Sequence, residues 1–174
     1  KEMTDEVLDA DGWFHTGDIG ELTEGKFLKI TDRKKEMFKT SGGKYVAPQI
    51  IENKLKESRF IEQVMVIGEG EKHPAAFVQP DFEFLKAWAD RKGISYKDTA
   101  DLVAQDEVKE RIMQEVEMTN QHFGHSEQVK KIEITPDIWS VDAGHLTPKL
   151  SLKRRNVMDI YSGLYKKIYD QEGK

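Results

Sequence analysis

The stretch from Asp11 to Pro48 narrows the folds open to this chain more than any other. Two polar motifs, Thr16-Gly17-Asp18 and Asp32-Arg33-Lys34-Lys35, flank a short apolar segment, and a glycine-bearing loop, Thr40-Ser41-Gly42-Gly43-Lys44, follows them. A hydrophobic core does not call for that order. Trp13-Phe14-His15 with Ile19-Gly20-Glu21-Leu22 reads as a strand, Thr23 to Lys26 as a turn, and Phe27 to Ile30 as the returning strand. The stretch therefore opens with a β-hairpin whose packing is expected from Phe27, Leu28 and Ile30. Ahead of it, Lys1 to Asp11 is polar and reads as the last turn of a helix or as an ordered tail.

Asp18 follows a glycine, which leaves room beside the backbone for its carboxylate to reach a ligand hydroxyl; the plainer role is to cap a turn. The cations Arg33, Lys34 and Lys35 are either a solvated face or, beside Gly42 and Gly43, partners for a polyphosphate that the glycine backbone can approach closely. The loop lacks the GxxxxGK(S/T) spacing of a Walker phosphate loop, so its glycines alone carry little weight.

Pro48 opens a helix where its missing amide hydrogen costs little, with Ile51 and Leu55 one above the other on the buried face. Phe60 to Gly68 reads as a strand, and Ala75 to Val78, after a turn, as a second. From Phe82 to His122 the pattern is helical: Phe84, Leu85 and Trp88 lie on a helix that stops at Gly93, and Val108, Ile112 and Val116 recur at i, i+4, i+8 on another. Trp88 and the methionines serve as packing or line a pocket, packing being the commoner use. Val129 to Ile134 alternates as another strand, and Pro136 begins a loop through Trp139, Gly144 and His145. A second cationic block, Lys149 to Arg155, leads into a last helix on which Val157, Ile160, Tyr161, Leu164 and Ile168 form the buried stripe. The fold class is α+β: an N-terminal hairpin, then a small mixed sheet packed with helices, enlarged by a helical insert at about 82–128.

Composition narrows function from the other side. The 174 residues suffice for one medium domain or two small ones, and a 37% hydrophobic share with mean hydropathy of −0.67 describes a solvated globular chain. A net charge of −5 and a pI near 5.6 argue against general binding of nucleic acid or anionic membrane. There is no cysteine, so no disulfide framework or thiolate metal site exists, and a reducing cytoplasm is the expected setting. His122 and His125 lack the spaced acids a metal site needs. An opening lysine in place of methionine suggests a piece of something longer.

The order of motifs, GWFHTGDIG, then DRKKEMFKTSGGKYVAP, then LTPKLSLKRR ahead of an amphipathic helix, closely resembles the C-terminal region of adenylate-forming enzymes. The insert, with RKGISYKDTADLVAQDEVKERI and SEQVKKIEI, is similar to the long-chain fatty-acid–CoA ligases among them. The resemblance covers nearly the whole chain. It implies that 1–31 are the end of a large N-terminal domain with the hairpin leading to a hinge, and that 32–174 are a small mobile C-terminal domain. It also implies a reaction: with ATP and magnesium, a fatty acid gives an acyl-AMP, whose acyl group then passes to coenzyme A as the small domain turns. The magnesium ligands and the acyl tunnel are expected in the missing N-terminal domain, so this piece alone should be inactive. Peripheral contact with a membrane suits such a substrate.

By resemblance, Asp18 matches the aspartate that holds the ribose hydroxyls of the adenylate and Arg33 the arginine beside it. Lys35 takes the hinge position, and Lys39, Gly42, Gly43 and Lys44 fall in the loop used in the coenzyme A step. The adenylating lysine of the family aligns with Ser151. The expected cation is therefore Lys149, with Lys153 the alternative. Two other readings stand beside this one: the C-terminal domain of another acyl- or aryl-adenylating ligase, and a stand-alone module whose cations hold phosphates of RNA or lipid.

Overall fold

The computed structural model describes residue 4 and residues 7–33 and 36–170, the side chains of 31–33 excepted. Lys35, the expected hinge residue, lies outside the described residues. The elements are β1 (Asp18–Thr23), β2 (Phe27–Arg33), β3 (Phe38–Lys39), β4 (Tyr45–Val46), α1 (Pro48–Leu55), β5 (Ile61–Ile67), β6 (Ala75–Pro80), α2 (Phe82–Lys92), α3 (Thr99–Ala104), α4 (Asp106–Asn120), β7 (Lys131–Ile134), α5 (Arg154–Ile160) and α6 (Ser162–Tyr169). This is the expected α+β class.

The organising element is a three-stranded mixed sheet in the order β5-β6-β7, with β5 antiparallel to β6 and β6 parallel to β7. Every residue of the middle strand, Ala75 to Pro80, is buried. Both sheet faces are covered, and strand alternation sorts the side chains between them. One face sends Val64, Val66, Ala76 and Val78 against Ile51 and Leu55 of α1, Leu85 of α2 and the Val108, Ile112, Val116 stripe of α4. The other sends Met65, Ile67, Ala75 and Phe77 against Trp139, Val157, Tyr161, Ile168 and Tyr169. Each fully buried Val, Leu, Ile, Met or Phe side chain among them contributes about 1.5–3 kcal/mol relative to exposure. The parallel β6–β7 pair needs a long crossover, and α2 to α4 supply it.

Local signals explain most boundaries. Asp81 caps α2 by accepting from the Phe84 amide at 2.9 Å, and the helix ends at Gly93. Asp98 caps α3 in the same way through the Asp101 amide, at 2.8 Å.

Three expectations are corrected. The hairpin β1–β2 is present, but Phe27, Leu28 and Ile30 are 61%, 68% and 55% exposed, so they do not give its packing. Strand β2 lies beside α1, but among the described residues that contact leaves these side chains largely uncovered. Strand β1 begins at Asp18, not Trp13; Trp13 and Phe14 are exposed, and Phe14 only bridges back to Leu8. The last helix is broken at Tyr161 into α5 and α6. Ile160 is exposed and Leu164 only partly buried, while Val157, Tyr161 and Ile168 are buried.

Candidate functional site

The candidate residues stand on three separate supports. On the first, the hairpin register sets Asp18 opposite Arg33 at the open end of the ribbon. A bulge at Ile19/Gly20 follows at once, and bulges of this kind twist a strand and re-aim what it carries. Asp18 is exposed, and its amide donates to Thr16 Oγ1 at 3.1 Å. Thr16 thus caps this turn through the Asp18 amide. Arg33 is placed by its backbone alone.

The second support is the short ribbon β3–β4 with the glycine loop at its tip. The Thr40 amide donates to the Lys44 carbonyl at 3.0 Å, and the Gly43 amide to the Thr40 carbonyl at 2.8 Å. Gly43 takes a φ of +73°, which a side chain would strain, and nothing lies near its Cα hydrogen. Gly42 and Lys44 are exposed beside it, and the Lys39 ammonium lies 4.6 Å from the centre of the Tyr45 ring.

The third support carries the cationic block. An isolated bridge between Leu146 and Leu152 closes a tight loop, with the Thr147 amide donating to the Ser151 carbonyl at 2.8 Å and the Ser151 amide to Thr147 Oγ1 at 3.2 Å. Lys149 is exposed at the tip, next to Leu150, which holds a left-handed φ of +60° and is itself exposed. Lys153 is half-buried where α5 starts, its amide donating to the His145 carbonyl at 2.9 Å. Of the two lysines, Lys149 is the more exposed.

Arg154 does not belong with these surface cations. Its Nη1 donates to Glu52 Oε1 at 2.7 Å and its Nη2 to the Val66 carbonyl, while the Val66 amide donates to the same Glu52 oxygen at 2.7 Å. Burial pushes the Glu52 carboxyl above the usual carboxylate range, with the Arg154 guanidinium opposing the shift. This pair ties the start of α5 to the sheet. Glu52 was legible: Pro48, Ile51, Glu52 and Leu55 are the buried positions of α1, at i, i+3, i+4, i+7, and an acid inside that stripe needs a cation.

Beneath the lysine loop lies an aromatic stack that the sequence did not signal. Trp139 and His145 stack at 5.8 Å with planes 7° apart, and Tyr161 stacks on both. His145 Nε2 lies 3.1 Å from the Tyr161 hydroxyl, which donates to Asp137 at 3.2 Å. Burial lowers the His145 pKa below the usual histidine value, and burial with the Asp137 charge raises that of Tyr161 to about 12. His145 Nδ1 is buried with no hydrogen-bond partner, a neutral ring being the cheaper form there.

A cleft of about 370 Å³ between β3, β5 and α5–α6 is lined by Glu36, Met37, Met65, Glu69, Arg155 and Met158 among others, three of the methionines thus lining a pocket, while Asp18, Lys39, Gly42, Gly43, Lys44, Lys149 and Lys153 are not among its described lining residues. Among the described residues no group of three or more His, Asp or Glu could hold a metal. No helix among them is long and apolar enough to cross a membrane.

The chain is 40% identical over 171 residues to long-chain-fatty-acid–CoA ligase 6 of Homo sapiens, spanning 97% of this chain and 24% of that protein. It is 34% identical over 164 residues to long-chain-fatty-acid–CoA ligase FadD15 of Mycobacterium tuberculosis (strain ATCC 25618 / H37Rv), spanning 94% of this chain and 27% of that protein. It thus spans about a quarter of the length of these relatives. In fold it is similar to the A domain of carboxylic acid reductase from Segniliparus rugosus, solved with AMP and a co-purified carboxylic acid, with a TM-score of 0.81 at 23% identity over 99% of this chain and 26% of that one. The family model described as "AMP-binding enzyme C-terminal domain" matches residues 36–173, and the chain belongs to that family.

Proposed function

We propose that this chain is the C-terminal part of an ATP-dependent long-chain fatty-acid–CoA ligase and that its three supports serve successive steps. The observation that carries the reading is the separation of the lysine loop from the glycine loop, each held on the same core by its own backbone hydrogen bonds. The 40% identity to a long-chain ligase along nearly the whole chain supports the substrate class. In the first step a fatty carboxylate oxygen bonds to the α-phosphorus of ATP, the bond to the bridging oxygen breaks, and pyrophosphate leaves. Two anions meet there, and Lys149 supplies positive charge as the transition state forms, with Lys153 the alternative. Asp18 accepts from the ribose hydroxyls, and Arg33 lies opposite it. In the second step the coenzyme A sulfur bonds to the acyl carbon, the bond to the AMP oxygen breaks, and the thiol proton passes to solvent. The loop of Lys39, Gly42, Gly43 and Lys44 gives the pantetheine arm room to pass.

One domain presenting two faces in turn requires a hinge, which we place at Lys35. The exposed apolar side chains at Trp13, Leu22, Phe27 and Leu28 support the division into 1–31, as the end of a larger domain, and 32–174. The partners are then a fatty acid, ATP and coenzyme A, together with the larger domain. Magnesium enters with ATP through that domain, and a cytoplasmic setting with peripheral membrane contact suits a cysteine-free enzyme of greasy substrates. The test is acyl-CoA formation by the parent chain from ATP, coenzyme A and either hexadecanoate, acetate or benzoate. Turnover with hexadecanoate alone supports the reading; turnover with benzoate or acetate alone contradicts it.

A further inference from the structure

The glycine loop cannot hold itself in place. Strands β3 and β4 have two residues each and share two register pairs, Phe38 with Val46 and Lys39 with Tyr45. A ribbon that short is not stable alone. Phe38 and Val46 root the ribbon in the core, and among the described residues its tip is held from outside by backbone hydrogen bonds to the β5–β6 turn: the Ser41 amide donates to the Glu71 carbonyl at 2.8 Å, and the Gly70 amide to the Lys39 carbonyl at 2.8 Å.

That turn is gripped from its other side by α6. The Tyr165 hydroxyl donates to Glu71 Oε1 at 2.6 Å, and the Tyr169 hydroxyl donates to the His73 carbonyl at 3.1 Å. The His73 ring lies 5.7 Å from the Tyr169 ring, and the two tyrosines touch at 4.9 Å. The short Tyr165 contact is a donor meeting a carboxylate, the stronger class of hydrogen bond. Burial and the Glu71 carboxylate both keep the Tyr165 hydroxyl protonated, which preserves it as a donor. Glu71 thus holds α6 with its side chain and the loop with its backbone.

We propose that Tyr165 and Glu71 are positioning residues that set the glycine loop for the thioester-forming step, an inference that rests on the ligase reading above. Neither is among the residues assigned above to nucleotide, hinge, lysine or coenzyme A roles. They act through the Ser41 amide, and Ser41 immediately precedes the glycine pair that the pantetheine arm must pass. The lysine loop is fixed through a different set of contacts, at Leu146, Leu152 and the His145 carbonyl, so the adenylating step should not feel the change.

The experiment uses the intact parent chain with Tyr165→Phe, Glu71→Ala and Glu71→Gln, the last of which still accepts from the tyrosine. Three readouts are taken: hydrogen exchange of the segment containing the Ser41 amide, fatty-acid-dependent exchange of pyrophosphate into ATP, and coenzyme A-dependent consumption of added acyl-AMP. Tyr165→Phe and Glu71→Ala should each speed Ser41 exchange and slow acyl-AMP consumption about tenfold, the size of one charge-assisted hydrogen bond lost. Pyrophosphate exchange should stay within about twofold, because only interactions of the affected step are removed. Glu71→Gln should restore most of both losses. Unchanged Ser41 exchange in Tyr165→Phe overturns the proposal, as does an equal fall in both half-reactions, which would mark the contact as structural. If the unmodified parent consumes no acyl-AMP with coenzyme A, the ligase reading is what fails, and Ser41 exchange still decides whether the brace exists.

Discussion

Arg154 Nη1 lies 2.7 Å from Glu52 Oε1 across 102 positions of sequence, and this contact fastens the last helical pair to the first helix of the core. Glu52 is buried and Arg154 half-buried, with side-chain exposures of 6% and 21%. Removing one partner strands the other, so Glu52→Ala should lower unfolding free energy by about 3–5 kcal/mol. Denaturant titration of this chain checks it. A loss under about 1 kcal/mol, the range of surface pairs, would show that the contact contributes no more than an exposed bridge.

The buried His145 gives stability a pH dependence of defined sign. Its ordinary pKa of 6.5 is lowered in the fold, chiefly by burial, so below that pH the unfolded chain takes up a proton that the folded chain resists. Stability is therefore complete above pH 6.5 and declines as pH falls from there toward the folded-state value. His145→Phe, which can keep the stack on Trp139 and Tyr161, should flatten the profile in that window. Denaturant midpoints across it check the slope, and an unchanged slope in the variant would assign it elsewhere.

Gly68 is the tightest glycine of the β5–β6 turn. Its φ is +138°, and a Cβ there would stand 2.9 Å from the His73 carbonyl and 3.1 Å from Pro74 Cα, both backbone. Gly68→Ala should cost about 1–3 kcal/mol, the range for a residue forced into a glycine-only conformation. Thermal unfolding checks it, and a neutral result would mean that the turn can shift.

Much of this was legible before any coordinates. Periodicity and punctuation located α1, α2 and the strands β5 to β7 because each has an apolar face that the core demands, as with Ile51 and Leu55 or Val108, Ile112 and Val116. The same rule misled at Phe27, Leu28 and Ile30, since apolar character records that a surface wants cover, not that this chain supplies it. The break at Tyr161 left no mark, because Val157, Tyr161 and Ile168 keep helical spacing across a kink that packing decides. Motif order pointed to Asp18, Arg33 and Lys149; it was silent on Glu71, Tyr165 and His145, whose meetings depend on tertiary contacts between distant segments. Arg154 sits inside the cationic block from Lys149 to Arg155, and nothing in that run distinguishes it from its neighbours, since Glu52 lies 102 positions away.

The most direct test of the ligase account is exchange of pyrophosphate into ATP by the parent chain, with and without a long-chain fatty acid, for the unmodified enzyme and Lys149→Ala. The account predicts exchange only when the fatty acid is present, and a loss of about 100-fold or more in the variant, the effect of removing one preorganised charge-stabilising group. Exchange that survives the substitution would move the adenylating charge to Lys153, and no exchange with any long-chain fatty acid would contradict the account itself.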